Sequence, residues 1–297
     1  ILDSISSDTN AHVGGCSAYS KKVCCKVTPG VTIDPVCGED YTGTCQNLAL
    51  YGDLSYLNIK WNARYSSGIE KEIGVECYLN CPDPGDNITR NCSAYKTPTN
   101  YCNYKALTGY GFCTILNPNY AFQGQPNNVT CSFYDPDYPG IQYLPYPNRT
   151  FKPIDFDISS AFNASATVGK PFIIPVNVRN FGLFVGNFTS NTSALNNPGM
   201  VSIENPTGLI ENVKYNDIGQ MYSKITFLST GKVNFKVLVK SNLDQFTCTA
   251  PENCSYLGDS ECIDNKCWKR TTIGINAGMS SLPEFGWTGL LQIIILS

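Results

Sequence analysis

The residues of this chain with the most chemistry to offer are fifteen cysteines and a single histidine. Cys16, Cys24, Cys25, Cys37, Cys45, Cys77, Cys81, Cys92, Cys102, Cys113 and Cys131 crowd the first half. Cys248, Cys254, Cys262 and Cys267 stand near the end, with none between Cys131 and Cys248. Zinc would need paired ligands at C-x2-C spacing, usually with histidines. No such pair occurs: the nearest approaches, Cys77-x3-Cys81 and Cys262-x4-Cys267, have no matching second pair. Nucleophilic schemes of the Ser/His/Asp or Cys/His kind depend on His12, which its neighbours Asn10, Ala11 and Gly14 place in a loop. The chain has no G-x-S-x-G elbow, P-loop, dinucleotide glycine pattern or H-E-x-x-H. Asp83, Asp86, Asp135 and Asp137 sit in Pro/Gly turns as turn formers, without a calcium-loop pattern. A glycosidase carboxylate pair is set by spatial separation, so spacing does not test it. The sequence therefore assigns no catalytic residue, metal ligand or cofactor, and reads the protein as not an enzyme. The cysteines read as disulfides, the use expected in an oxidising compartment. Their odd number leaves at least one thiol free or bonded to another chain. Cys24 and Cys25 are adjacent and anchor two different bridges, given the Cα separation a bridge needs.

The asparagines carry the second modification chemistry. N-x-S/T sequons occur at Asn87, Asn91, Asn128, Asn148, Asn163, Asn187, Asn191 and Asn253, whereas Asn205 precedes Pro and does not count. Eight sequons beside fifteen cysteines predict a secreted, N-glycosylated surface with glycan-bearing loops. Ile1 is neither Met nor part of a charged-then-apolar leader, which implies that an export signal was removed or omitted. Charge agrees with such a surface. The net charge is −3 and only 15% of residues are charged. No basic run exists to hold a phosphate backbone, which excludes nucleic acid as a partner.

These groups must be positioned by strands. Residues 54–65 alternate, with Leu57, Ile59, Trp61 and Ala63 on one face, and residues 73–79 form a shorter candidate. Turns such as Thr28-Pro29-Gly30 and Asp135-Pro136-Asp137-Tyr138-Pro139-Gly140 punctuate this half. The tyrosines and Pro-Asn turns of residues 94–150 predict extended, glycan-bearing loops with tyrosines packed on their surfaces. Further on, Phe172, Ile174, Val176 and Val178 share a face, as do the apolar residues of Val233-Asn234-Phe235-Lys236-Val237-Leu238-Val239-Lys240. Short strands are also predicted at residues 181–189, 200–204, 210–215 and 223–228. About seven strands in some ninety residues is the arithmetic of an immunoglobulin-like sandwich. The fold class is thus all-β: a Cys-rich, disulfide-stapled β domain (1–152) followed by an immunoglobulin-like β-sandwich (153–278). A disulfide-held excursion at 246–270 then returns through residues 272–276 to the sandwich edge, and an apolar tail (279–297) ends the chain.

The run Val168-Gly169-Lys170-Pro171-Phe172-Ile173-Ile174-Pro175-Val176-Asn177-Val178-Arg179-Asn180-Phe181-Gly182 resembles the opening of the Ig-like domains of many archaeal exported cell-surface proteins. Their usual form is G-x-P-x-x-x-x-V-x-V-x-N-x-G. Tyr222-Ser223-Lys224-Ile225-Thr226-Phe227 through Lys240-Ser241-Asn242 resembles their closing strands. Pro283-Glu284-Phe285 with the apolar run after it is similar to their C-terminal sorting and anchoring tails. The resemblance implies a cell-surface sandwich, a fold that serves spacers, adhesins and polymer subunits alike. The tail departs from the pattern, because a spanning helix needs roughly 20 apolar residues and this one stops short of that. Leu290, Leu291, Ile293, Ile294, Ile295 and Leu296 are read instead as a contact for another subunit or for a membrane. Either this run or residues 1–5 would add as a strand to a neighbour's sheet. The resulting expectation is a glycosylated structural subunit of an extracellular homopolymer, a pilus-like filament or surface coat. The competing expectation is a membrane-tethered adhesin or receptor.

Overall fold

The protein is described by a computed structural model over residues 4–5, 11–12, 30–37, 45–81, 92, 96–121, 124–143, 146–159 and 165–279. Its first element is a two-residue ladder of β1 (Ser4–Ile5) on β2 (Ala11–His12). His12 is therefore not a loop residue but the strand partner of Ser4. Backbone pairing with a segment eight residues earlier decides this, which the Asn and Gly neighbours do not register.

The period-two pattern after residue 55 builds the centre of a first sandwich. Its strands are β3 (Val31–Asp34), β4 (Ala49–Gly52), β5 (Tyr56–Tyr65), β6 (Glu72–Leu79), β7 (Tyr101–Leu107), β8 (Gly109–Leu116), β9 (Asn127–Asp135), β10 (Tyr138–Tyr143) and β11 (Asn148–Phe151). In one sheet β3 and β4 share one side of β5, and β8 takes the other. In the second sheet β6 lies between β7 and β9, while β10 and β11 share the outer side of β9. Leu57, Ile59, Trp61, Ala63 and Tyr65 of β5 point into the core against Val75, Val129 and Phe133. Trp61 fills the centre, edge-on to Phe133 at 6.2 Å between ring centroids. Gly111 on β8 makes room for it, since a Cβ there would stand 2.8 Å from the indole.

Residues 94–150 carry β7 to β11, so the expected glycan-bearing loops are largely strands. The reason is visible in β8. Gly111, Cys113 and Ile115 point inward while Tyr110, Phe112 and Leu116 point outward. With apolar residues on both faces the period-two contrast disappears from the sequence.

The second sandwich comprises β12 (Phe156–Ser159), β13 (Ser165–Thr167), β14 (Pro171–Asn180), β15 (Gly186–Ala194), β16 (Val201–Ile203), β17 (Thr207–Val213), β18 (Ile218–Phe227), β19 (Gly231–Ser241), β20 (Ser260–Ile263) and β21 (Lys266–Gly278). One sheet has the order β12-β14-β18-β16. The other runs β13-β21-β19-β15-β17, with β20 forming a hairpin on β21. Ile174, Val176 and Val178 face Val233, Phe235, Val237 and Val239 across an immunoglobulin-like core. Residues 272–276 do not return to an edge: β21 lies between β19 and the parallel β13. Segment 181–189 is a strand only from Gly186. Its first part turns away and buries Leu183 and Phe184 in the core of the first sandwich.

This turn is one of the links between the two bodies, beside Leu243, which packs against both cores. Leu183 and Phe184 donate backbone hydrogen bonds to Lys152 and Pro153 (2.8 and 3.3 Å), and Phe181 and Gly182 donate to Asp155. Tyr120 packs edge-on against both Phe151 and Phe184. The pairings also fix where the chain enters and leaves. Val31 pairs with Tyr65, at the end of β5 opposite the Tyr56 end, where Tyr120 reaches Asp53. Gly278 accepts from Val168 beside Gly169–Phe227, at the end of β14 opposite Asn180. The chain thus enters the first sandwich at the pole away from the second, and leaves the second at the pole away from the first.

Candidate functional site

Six disulfides hold the described cysteines: Cys37–Cys45, Cys77–Cys131, Cys81–Cys92, Cys102–Cys113, Cys248–Cys262 and Cys254–Cys267. Cys16, Cys24 and Cys25, with the reading that the adjacent pair anchors two bridges, lie outside the described residues. Strand register explains the central pairings. Cys77 on β6 stands opposite Cys131 on β9 and also opposite Cys102 on β7, so one bridge closes across β6 and β9. Cys102 then bonds Cys113 on β8, tying the two sheets together at their open side. The sulfurs of Cys77, Cys102 and Cys113 consequently lie within 4.8 Å of one another, as do those of Cys248, Cys254 and Cys267. In the excursion, Asp264 and Asn265 take positive φ (51° and 59°) and form a two-residue hairpin that sets Cys262 opposite Cys267. Cys248 and Cys254 cross-link that hairpin to the 3-10 turn at Pro251–Leu257. Six such bonds are the mark of an oxidising compartment, and among the described residues no helix is long and apolar enough to cross a membrane.

Among the described residues the sequon asparagines fall on strands more than on loops. Asn148 and Asn191 are exposed, on β11 and β15, and Asn253 is exposed on the 3-10 turn. Asn128 and Asn148 belong to facing sequons: Asn148 pairs with Thr130 and Thr150 with Asn128. The half-buried Asn128 amide donates to Thr130 Oγ1 at 3.0 Å. Asn187 Oδ1 accepts from the Asn212 backbone at 2.8 Å. Asn253 Oδ1 accepts from Thr249 and Ala250, fastening the start of its turn. Asn87, Asn91 and Asn163 lie outside the described residues, as do Leu290, Leu291, Ile293, Ile294, Ile295 and Leu296.

Two polar clusters are candidates for chemistry that sequence reading missed, because each gathers residues far apart in the chain. In the first, Lys71 Nζ meets the buried Asp135 at 2.7 and 2.8 Å and Asp137 at 2.7 Å. Burial works against the Asp135 charge, but the Lys71 ammonium and the Asp137 N–H outweigh it and hold the carboxyl below the usual range. In the second, Glu76 accepts from Tyr78 (2.9 Å), Tyr101 (2.8 Å) and Lys96 (3.1 Å). Burial, then the hydrogen bonds to Glu76, push both phenols well above their ordinary value, so neither supplies a phenolate near neutral pH. Both arrangements work as ionic locks between strands. Because the Asp135 pKa is depressed, the stability it contributes is present above the ordinary Asp value and is lost as pH falls through the folded one. Asp135→Asn should therefore flatten the fall in melting temperature between about pH 5 and pH 2. An acid limb as steep as that of the unaltered protein would show that the lock contributes nothing.

No known family matches the chain, and no curated protein matches it. Among solved structures it is similar to the native conformation of E. coli alpha-2-macroglobulin, at 10% identity over 79% of this chain and 17% of that one, with a TM-score of 0.29. It is also similar to red sea bream transglutaminase, at 10% identity over 78% of this chain and 31% of that one, with a TM-score of 0.29. The S-layer protein SbsC, domains 4 and 5, matches at 13% identity over 51% of this chain and 65% of that one, with a TM-score of 0.25. The chain spans less than a third of the first two proteins.

Proposed function

We propose that this protein is a glycosylated structural subunit of an extracellular assembly, a pilus-like filament or surface coat, whose copies join end to end by strand addition. What supports the reading is the polarity of the chain: it enters at one pole of the paired sandwiches and leaves at the other. A contact from one pole to the opposite pole of the next copy is heterologous and does not close, so it propagates. The six disulfides and the docked turn at residues 181–184 suit a unit that transmits load along that axis. Glycans at exposed positions such as Asn148 and Asn191 would cover a surface poor in charge. Electron microscopy of native protein tests the reading, with regular polymers of one subunit width expected. Peptide mass spectrometry is expected to find glycans at Asn148 and Asn191. A monodisperse monomer at all concentrations, with both asparagines unmodified, would overturn it.

A further inference from the structure

We propose that the two far poles of the paired sandwiches are the complementary faces of that assembly, the entry pole of one copy seating on the exit pole of a second copy of this chain. The inference rests on the end-to-end reading and names the surfaces that meet. The entry pole is built from three turns of the first sandwich, at residues 66–71, 107–109 and 136–138. Thr108 stitches the first two together: its Oγ1 donates to Lys71 O at 3.0 Å, and its N–H donates to the same carbonyl at 3.2 Å. Lys71 Nζ then reaches Asp135 and, in the third turn, Asp137, and lies 5.7 Å from the centre of the Tyr138 ring. On this braced surface Ile69, Leu107 and Tyr138 are each more than half exposed.

The exit pole is built from residues 168–171, 195–200, 228–232 and 277–279 of the second sandwich. Its segments are tied to one another as well. Gly169 N donates to Phe227 O and Leu228 N to Met200 O, both at 2.8 Å, and Asn197 Nδ2 donates to Lys232 O at 3.4 Å. Met200 covers Gly231 so closely that a Cβ there would stand 2.6 Å from its methyl group. Leu195, Leu228 and Met279 are each more than half exposed. Both poles thus carry apolar side chains on backbone that is already ordered, so contact between them sacrifices little freedom.

Charge selects which pole meets which. At the entry pole Lys71 is held by Asp135 and Asp137, and Arg64 by Asp34. Lys105 stands further in along β7, opposite Gly74. Glu70 and Glu72, at the end of the first turn and the start of β6, are exposed and have no ion-pair partner among the described residues. The four exit segments contain no Asp or Glu, and their charges are Lys170 and Lys232. Both lysines are exposed and likewise unpaired among the described residues. Two entry poles face to face would oppose carboxylates to carboxylates, and two exit poles ammonium groups to ammonium groups, so like poles repel. Unlike poles set Lys170 and Lys232 against Glu70 and Glu72, with apolar residues on both sides of the contact. The surface complementary to each pole is therefore the other pole of the same protein, which is the heterologous contact of an open polymer.

Charge reversal in the full-length protein tests this, read by sedimentation and electron microscopy. One variant carries Lys170→Glu with Lys232→Glu, the other Glu70→Lys with Glu72→Lys. Each alone, folded by its melting temperature, is expected to assemble about tenfold more weakly than the unaltered protein. Mixed in equal amounts, the two are expected to polymerise again as alternating copies, because each reversed pole fits the reversed pole of the other variant and each native pole fits the native one. Amide hydrogen exchange on the unaltered polymer should show residues 66–71 and 228–232 protected relative to the subunit, a readout that stands even if a variant folds poorly. Normal polymers from either variant alone, a mixture that stays unassembled, or polymers with both turns unprotected would show that the poles do not face each other. Those results leave the end-to-end reading standing, whereas failure of the unaltered protein to assemble removes both.

Discussion

Asn180→Ala is expected to cost roughly 4 kcal/mol and to loosen the two sandwiches from each other. The Asn180 side chain is buried and makes three hydrogen bonds to backbone. Nδ2 donates to Phe184 O at 2.9 Å and to Val213 O at 2.8 Å, and Oδ1 accepts from Gly182 N at 2.9 Å. Alanine takes the side-chain donor from two carbonyls in a place water does not reach, at about 1–3 kcal/mol each, while the Gly182 N–H keeps its bond to Asp155 O. The damage should travel, because the turn that Asn180 holds is the one that buries Leu183 and Phe184 in the first core. Denaturant unfolding measures the loss. Hydrogen exchange at the Leu183 and Phe184 amides, which donate to Lys152 and Pro153, measures the loosening. A cost below about 1 kcal/mol with unchanged exchange would show that the turn is held by packing alone. Gly182 belongs to the same device: a Cβ there would stand 2.7 Å from Asp155 N and Pro153 O, so Gly182→Ala should push the turn off the first sandwich.

Removing the Cys77–Cys131 bridge as a Ser/Ser pair should be the most damaging of the disulfide deletions. It closes a 54-residue separation across β6 and β9, whereas Cys102–Cys113 closes 11. Chain-entropy bookkeeping gives about 4 kcal/mol for the long loop and about 3 kcal/mol for the short one. Both bridges are buried in the same core, so each double variant also leaves hydroxyls where sulfur packed. Equilibrium unfolding of the two variants under non-reducing conditions ranks them. If the Cys102–Cys113 deletion proved the more destabilising, closure of the open side between the two sheets would outweigh loop length.

Some of this was legible from residue order and some was not. Strand β5 could be read at once because its inward Leu57, Ile59, Trp61 and Ala63 alternate with polar neighbours. Strands β14 and β19 could be read for the same reason, and with them the immunoglobulin-like sandwich. β8 could not, since Tyr110, Phe112 and Leu116 make its outer face as apolar as its inner one. The Lys71–Asp135–Asp137 and Glu76–Tyr78–Tyr101–Lys96 locks were equally hidden, as each joins segments that are apart in the chain.

The cysteines and sequons, local in chemistry, needed no fold to raise the expectation of disulfides and of N-glycan acceptor sites, and the disulfides are what the structure shows. Partners did need one: strand register set both Cys102 and Cys131 opposite Cys77, and the bridge of Cys102 to Cys113 on the other sheet leaves Cys131 for Cys77. The Asn180-Phe181-Gly182 signature marks the end of a strand in the sequence. That its asparagine holds two domains together is a property of three backbone groups brought to one point from residues 182, 184 and 213. Composition and periodicity describe what each segment prefers. Which segments meet is settled by burial and hydrogen bonding summed over the whole chain, and no window of sequence contains that sum.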